Sequence, residues 1–181
     1  TIAVLQNITY TPSFGNTILL SNMFLFLVVG VFWIIASIKS KQSLTLDEGW
    51  KRRLWGLPLA FLAFWSPMDQ IGNPNFGVLG LLTSDYGLAF CFTLPVIVYT
   101  LSFYYSTVYK PAFRVTCVIG VGIGILNITG PLWIPGYPVW VAFLHTPLLI
   151  LTINGLLLGR FEKTKALNHF GKPQVQVVRN G

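Results

Sequence analysis

The sequence predicts an all-α integral membrane protein: a bundle of about five transmembrane helices, N-terminus outside and C-terminus cytoplasmic. Three observations lead there. Of 181 residues, 54% are hydrophobic and 9% are Asp, Glu, Lys or Arg, against roughly 25% charged in a soluble domain. A soluble fold of this size cannot cover so much apolar surface with so few charges. The apolar residues also fall into five runs separated by polar segments. Finally, every Lys and Arg lies in a segment that alternate crossing would gather on one side.

A hydrocarbon core of about 30 Å needs roughly 20 apolar residues per helix. The first run that meets this is 17–38, softened by Ser21 and Asn22. The second, 54–69, is short and holds Pro58 and Pro67. Thr45 and Glu48 fit a capping box, so this helix is expected to start in the interface and enter through Trp50 and Trp55. Residues 66–76, rich in Pro, Gly and Asn, read as a loop, and the apolar stretch 77–83 is too short to span. The third helix is expected over 87–105, kinked at Pro95. The fourth covers 115–133. The fifth covers 138–159, with Pro138 in its first turn, and 160–181 forms a basic cytoplasmic tail.

With five crossings, loop 39–53, turn 106–114 and the tail share one side, and all twelve Lys and Arg residues fall there. Trp65, Trp133, Tyr137 and Trp140 mark the opposite boundary, and Trp50, Trp55, Tyr104, Tyr105 and Tyr109 the basic one. The net charge of +7 is therefore read as topology, with the lipid bilayer as partner and no nucleic acid. The uncharged first sixteen residues do not resemble a cleavable signal, and the opening Thr implies trimming. Asn7-Ile8-Thr9 matches a glycosylation acceptor on the outer side. Cys91 and Cys117 fall near opposite faces, too far apart to bridge, and read as small core residues.

No phosphate loop, His-Glu-x-x-His, Cys-x-x-Cys or Gly-x-Ser-x-Gly motif is present. The cofactor is left open and no metal site is expected; the two histidines do not provide a bis-histidine haem within this chain alone, which leaves a haem or metal shared with another subunit. The informative feature is a polar level in the outer half: Asn22, Asn127 and His145 lie about 8–10 Å below the outer helix ends, with Asp69 and Asp85 at that boundary. Such groups usually face a bundle interior or a wet cavity, so an outward-facing crevice lined by Asn22, Asp69, Asp85, Asn127 and His145 is expected. The plainer reading makes Asp69 and Asp85 caps or loop carboxylates, and Asn22 and Asn127 interhelical ties. Gly120 with Gly124, and Gly155 with Gly159, form small-residue pairs that bring helices four and five together.

Three functional classes follow. The first is a subunit, of a homo-oligomer or a complex with other membrane subunits, that binds or conducts a small solute or lipid-like molecule. The second is a non-catalytic scaffold. The third is a membrane enzyme using Asp69 or Asp85 with His145.

Overall fold

The computed structural model describes residues 8–11, 15–18, 20–39, 43–69, 72–79, 81 and 90–170. They are predominantly helical, as the sequence predicts. The exception is an N-terminal hairpin of β1 (Ile8–Thr11) and β2 (Gly15–Ile18), antiparallel in the register Ile8 to Ile18. Because Thr17 and Ile18 pair in β2, helix α1 starts later than expected and spans Leu20–Lys39. Asn7 and Asp85 lie outside the described residues, as does the side chain of Asn22.

The second apolar run forms a 3-10 helix, Trp50–Gly56, that continues as α2, Leu57–Trp65. The helix begins at Trp50, but the capping box is not formed. Residues 43–47 are non-helical, and the cap is Gly49, without a side-chain bond. Thr45 instead turns its amide toward the Thr107 hydroxyl, 3.3 Å away. At about 2.0 Å rise per 3-10 residue and 1.5 Å per α residue, these sixteen residues reach roughly 28 Å. The tighter winding thus supplies length that nine α-helical residues lack. The helix stops four residues before the expected end, where Ser66 adopts a left-handed φ of 46° and Pro67 follows, unable to donate.

Helix α3 covers Phe90–Ser102 with Pro95 inside it. It ends short of residue 105 because Ser102 and Phe103 turn their carbonyls toward Arg53 and Asp47. Helix α4 spans Lys110–Ile128, opening five residues early because Pro111 favours a first turn. Gly130 and Pro131 divert its end into a 3-10 turn, Gly130–Leu132. The fifth run is divided into α5 (Val139–Leu144) and α6 (Thr146–Phe170). Pro138 stands just before α5 rather than within it. The break falls at His145 because Pro147 has no N–H for the Phe143 carbonyl, and the His145 amide bonds back to Ala142 at 3.1 Å. Helix α6 also runs on to Phe170, into the segment expected to be tail.

Contacts set the direction of each helix. Phe26 stacks on Phe90 at 4.2 Å, and Trp33 shares a groove with Ile97 and Leu101, so α1 and α3 run parallel. Gly56 closes on Tyr99 and Leu151 while the Trp140 indole donates to Pro67, so α2 opposes both α3 and the α5–α6 pair. Gly120 lies against Thr152, Gly124 against Leu149 and Gly155 against Cys117, so α4 and α6 are antiparallel and in the most extensive contact of the bundle. This is the seam expected from the glycine spacing. Lys39, the 51–53 cluster and Lys110 consequently mark one basic end.

Around the seam, Leu94, Val98, Phe113 and Leu148 are buried with Phe26 and Phe90. Trp33 Nε1 donates to Thr116 Oγ1 at 2.9 Å, and that hydroxyl donates to the Ala112 carbonyl at 2.8 Å, so the one polar tie from α1 to α4 described here is satisfied on both sides. Both cysteines are free thiols. The outer faces are apolar too: Phe24 is 70% exposed, Ile38 72% and Val118 58%. Among the described residues, Lys110–Ile128 and Val139–Leu158 are long and apolar enough to cross a membrane.

A Cβ at Gly155 would stand 2.7 Å from Cys117 Sγ, whereas one at Gly122 meets nothing within 4 Å. Gly155→Val is expected to lower stability by about 1–3 kcal/mol, and Gly122→Ala, in one of the two seam helices but facing open space, to raise it by up to about 1 kcal/mol. Denaturant titration in detergent micelles checks both.

Candidate functional site

Each described member of the expected polar level is held by its neighbours. Asp69 closes a turn: Oδ1 accepts from the Asn73 amide at 2.8 Å and Oδ2 from the Asn73 side chain at 3.3 Å. That turn is pressed onto α5, where Gly72, at φ +87°, leaves no room for a side chain beside Pro138 and Val141. Asn127 donates to the Ile123 carbonyl at 2.9 Å and accepts from the Tyr137 hydroxyl at 3.0 Å. This bridges the end of α4 to the segment entering α5, and Gly130 packs on the same tyrosine ring.

His145 is buried at 4% exposure, with its ring 5.7 Å from that of Phe92. Its Nδ1 lies 2.7 Å from the Val141 carbonyl oxygen. A carbonyl can only accept, so Nδ1 carries the proton and Nε2 keeps a lone pair. The helix break supplies this bond: with His145 turned out of helical register, the Val141 carbonyl is available to its ring. Among the described residues no three His, Cys, Asp or Glu side chains gather at a metal-binding distance.

At the basic end stands a polar cluster that the sequence reading did not single out. Asp47 Oδ2 lies 2.6 Å from Arg53 Nη2, both side chains being largely buried. Asp47 Oδ1 accepts from the Ser106 amide at 3.0 Å and from the Ser106 hydroxyl. The Asp47 amide donates to the Phe103 carbonyl at 2.8 Å, the Arg53 guanidinium donates to the Ser102 carbonyl, and the Tyr99 hydroxyl donates to the Arg53 backbone carbonyl at 3.0 Å. Segment 45–53 is thereby fastened to the end of α3. Burial alone would push the Asp47 carboxyl up; the Ser106 hydroxyl and amide, with Arg53, outweigh it and hold Asp47 below the ordinary carboxylate value.

The hollows found among the described residues are largely apolar. A groove of about 510 Å³ lies between α1 and α3, lined by Trp33, Val96, Ile97, Thr100 and Leu101. It adjoins a second of about 260 Å³ that shares Trp33 and Leu101 and reaches Ser37, Leu44 and Tyr109 at the basic end. Ligand pockets are typically about 300–1,000 Å³, so the first is large enough for a small molecule or one hydrocarbon chain.

No family model, curated protein or solved structure matches the chain. The geometry alone therefore carries the functional reading.

The groove was hidden from the sequence because its walls belong to helices about 60 residues apart, and Trp33 alone, an aromatic deep in an apolar run, hinted at it. The Asp47 cluster had a faint signal: an acidic residue six positions before Arg53, in a chain with five acidic residues.

The sign of the pH dependence follows from the lowered Asp47 value. Its contribution to stability is complete above the ordinary carboxylate value near ~3.9 and is lost as pH falls through the lower folded value. Asp47→Asn should abolish that acid-side dependence and cost roughly 1.5–3 kcal/mol at neutral pH; unfolding midpoints between pH 2 and 7 would reveal it. Tyr137→Phe, which strips Asn127 of its donor, should cost about 0.6 kcal/mol by the same assay.

Proposed function

We propose that the chain is a multi-pass membrane protein that binds one acyl chain of a lipid-like molecule in the groove between α1 and α3. It does so as a non-catalytic binding subunit. Five crossings are α1, the 3-10 helix with α2, the segment ending in α3, α4, and α5 with α6. Support comes from their alternating directions, the exposed apolar side chains on their outer faces and the gathering of Lys39, Lys51, Arg52, Arg53 and Lys110 at one end. The basic end is then cytoplasmic and the N-terminus outside.

The observation that carries the binding reading is the groove of about 510 Å³ whose walls offer carbon almost throughout, with the Thr100 hydroxyl as its polar exception. The Trp33 N–H is already committed to Thr116, so its indole presents the groove with an apolar face. Hydrocarbon is what such a lining prefers, because any polar group entering it would lose its hydrogen bonds to water. An outward polar crevice is less well supported: Asn127 and Asp69 have their hydrogen bonds made locally, and the His145 ring is buried.

Reconstitution with phosphatidylcholine bearing a diazirine in one acyl chain tests the reading. Crosslinks are expected to concentrate at residues 96–101, and Thr100→Trp, which fills the groove, to reduce them about tenfold while leaving helicity unchanged. Even labelling of the outward faces of α1 and α2, indifferent to Thr100→Trp, would overturn it.

A further inference from the structure

The Thr100 hydroxyl is treated differently from its counterparts in the bundle. Thr116, Thr129 and Thr152 each donate to the carbonyl four residues earlier, at 2.8, 2.8 and 2.6 Å, and Ser37 and Ser102 donate to the carbonyls of Ile34 and Tyr99. Such back-bonding keeps a hydroxyl satisfied in apolar surroundings. Thr100 has the same option in the Val96 carbonyl and does not take it. Its hydroxyl makes no hydrogen bond among the described residues, and the residue is exposed in the wall of the first groove. The Trp33 N–H beside it is spent on Thr116. The groove therefore holds one hydroxyl proton without an acceptor.

Depth selects the acceptor. Arg53, in the basic cluster, donates to the Ser102 carbonyl, so the end of α3 lies at the basic interface. Thr100 is two residues inside that end, roughly 3 Å at about 1.5 Å per residue. The layer between hydrocarbon and water is about 5–8 Å thick on each side of a bilayer, and phospholipid ester carbonyls lie along its inner edge. The two hollows suit a lipid in this position. The first extends inward from Thr100 past Ile97 and Val96, beside Trp33; the second, sharing Trp33 and Leu101, gives it an exit past Ser37 and Leu44 to Tyr109 at the basic end. A chain in the first hollow thus runs inward from Thr100, with its glycerol and head group at the exit. An ester carbonyl accepts and cannot donate, which is what the Thr100 proton requires.

Resting on the acyl-chain reading above, we infer that the groove takes its lipid through an acyl ester, whose carbonyl oxygen accepts the Thr100 hydroxyl proton and sets the depth of the chain. An ether-linked chain fills the same hollow without a carbonyl, and so forgoes the bond.

The test uses the full chain in vesicles of dialkyl-ether phosphatidylcholine, doped with phosphatidylcholine whose diazirine chain is attached either by an ester or by an ether. Crosslinking at residues 96–101 should favour the ester by about fivefold, the effect of one ordinary hydrogen bond. The preference should fall towards one in Thr100→Val, which keeps the shape of the side chain, and persist in Thr100→Ser, with helicity unchanged in both. Equal labelling through the two linkages in the native chain, or an ester preference that survives Thr100→Val, would overturn the carbonyl anchor while leaving a chain in the groove. Absence of labelling at 96–101 by either lipid would instead remove the groove as a binding site, and the anchor with it.

Discussion

The close approach of α4 and α6 is the contact on which the rest of the bundle depends. Gly120, Gly124 and Gly155 bring the two helices together until Thr152, Leu149 and Cys117 fill the space a side chain would have taken. Dispersion across so tight a seam supplies attraction that does not depend on the solvent around it. The buried Thr152 hydroxyl donates to the Leu148 carbonyl of its own helix at 2.6 Å, so it adds no unsatisfied group to the interface. With the seam formed, Leu94 and Val98 of α3 pack over it beside Phe113 and Leu148. Helix α1 is tied in by the Phe26–Phe90 stack and the Trp33–Thr116 bond.

That hierarchy accounts for the groove. Helices α3, α4 and α6 form the close-packed centre, whereas α1 joins it at places that include Phe26 and Trp33. Between and below those places Trp33 and Leu101 face a gap that nothing from the described chain fills. The two ends of the bundle are closed differently. At the neutral end, Asp69, Asn127 and His145 are each satisfied by a near neighbour. At the basic end, Asp47 and Arg53 join segments almost 60 residues apart through Ser106 and Ser102. A charged pair placed there holds the 3-10 helix against α3 and fixes how the basic cluster meets the exit of the groove.

Much of the helical organisation was legible because it follows from local chemistry. Long apolar runs predict helices, Pro111 and Pro67 punctuate them, and glycines spaced at four residues anticipate a close seam. Helix ends were less legible, since distant partners set them: α3 stops where Asp47 and Arg53 take the carbonyls of Phe103 and Ser102. The hairpin of 8–18 and the 3-10 winding of 50–56 were missed for a related reason. Both depend on backbone pairing that leaves no periodic trace in so short a stretch. Of the candidate site residues, Asp69, Asn127 and His145 were visible as polar groups in the sequence, and their partners, Asn73, Tyr137 and Val141, became known from the structure.

By itself, then, the sequence determined an apolar, helical chain and the sorting of its cations into particular loops, because composition and charge placement are properties of the linear order. The tertiary structure decided which polar groups face a partner and which face a hollow. Those outcomes depend on how residues far apart in the chain are brought side by side, as Trp33 is to Leu101 and Asp47 to Ser106, and no local pattern encodes such distances.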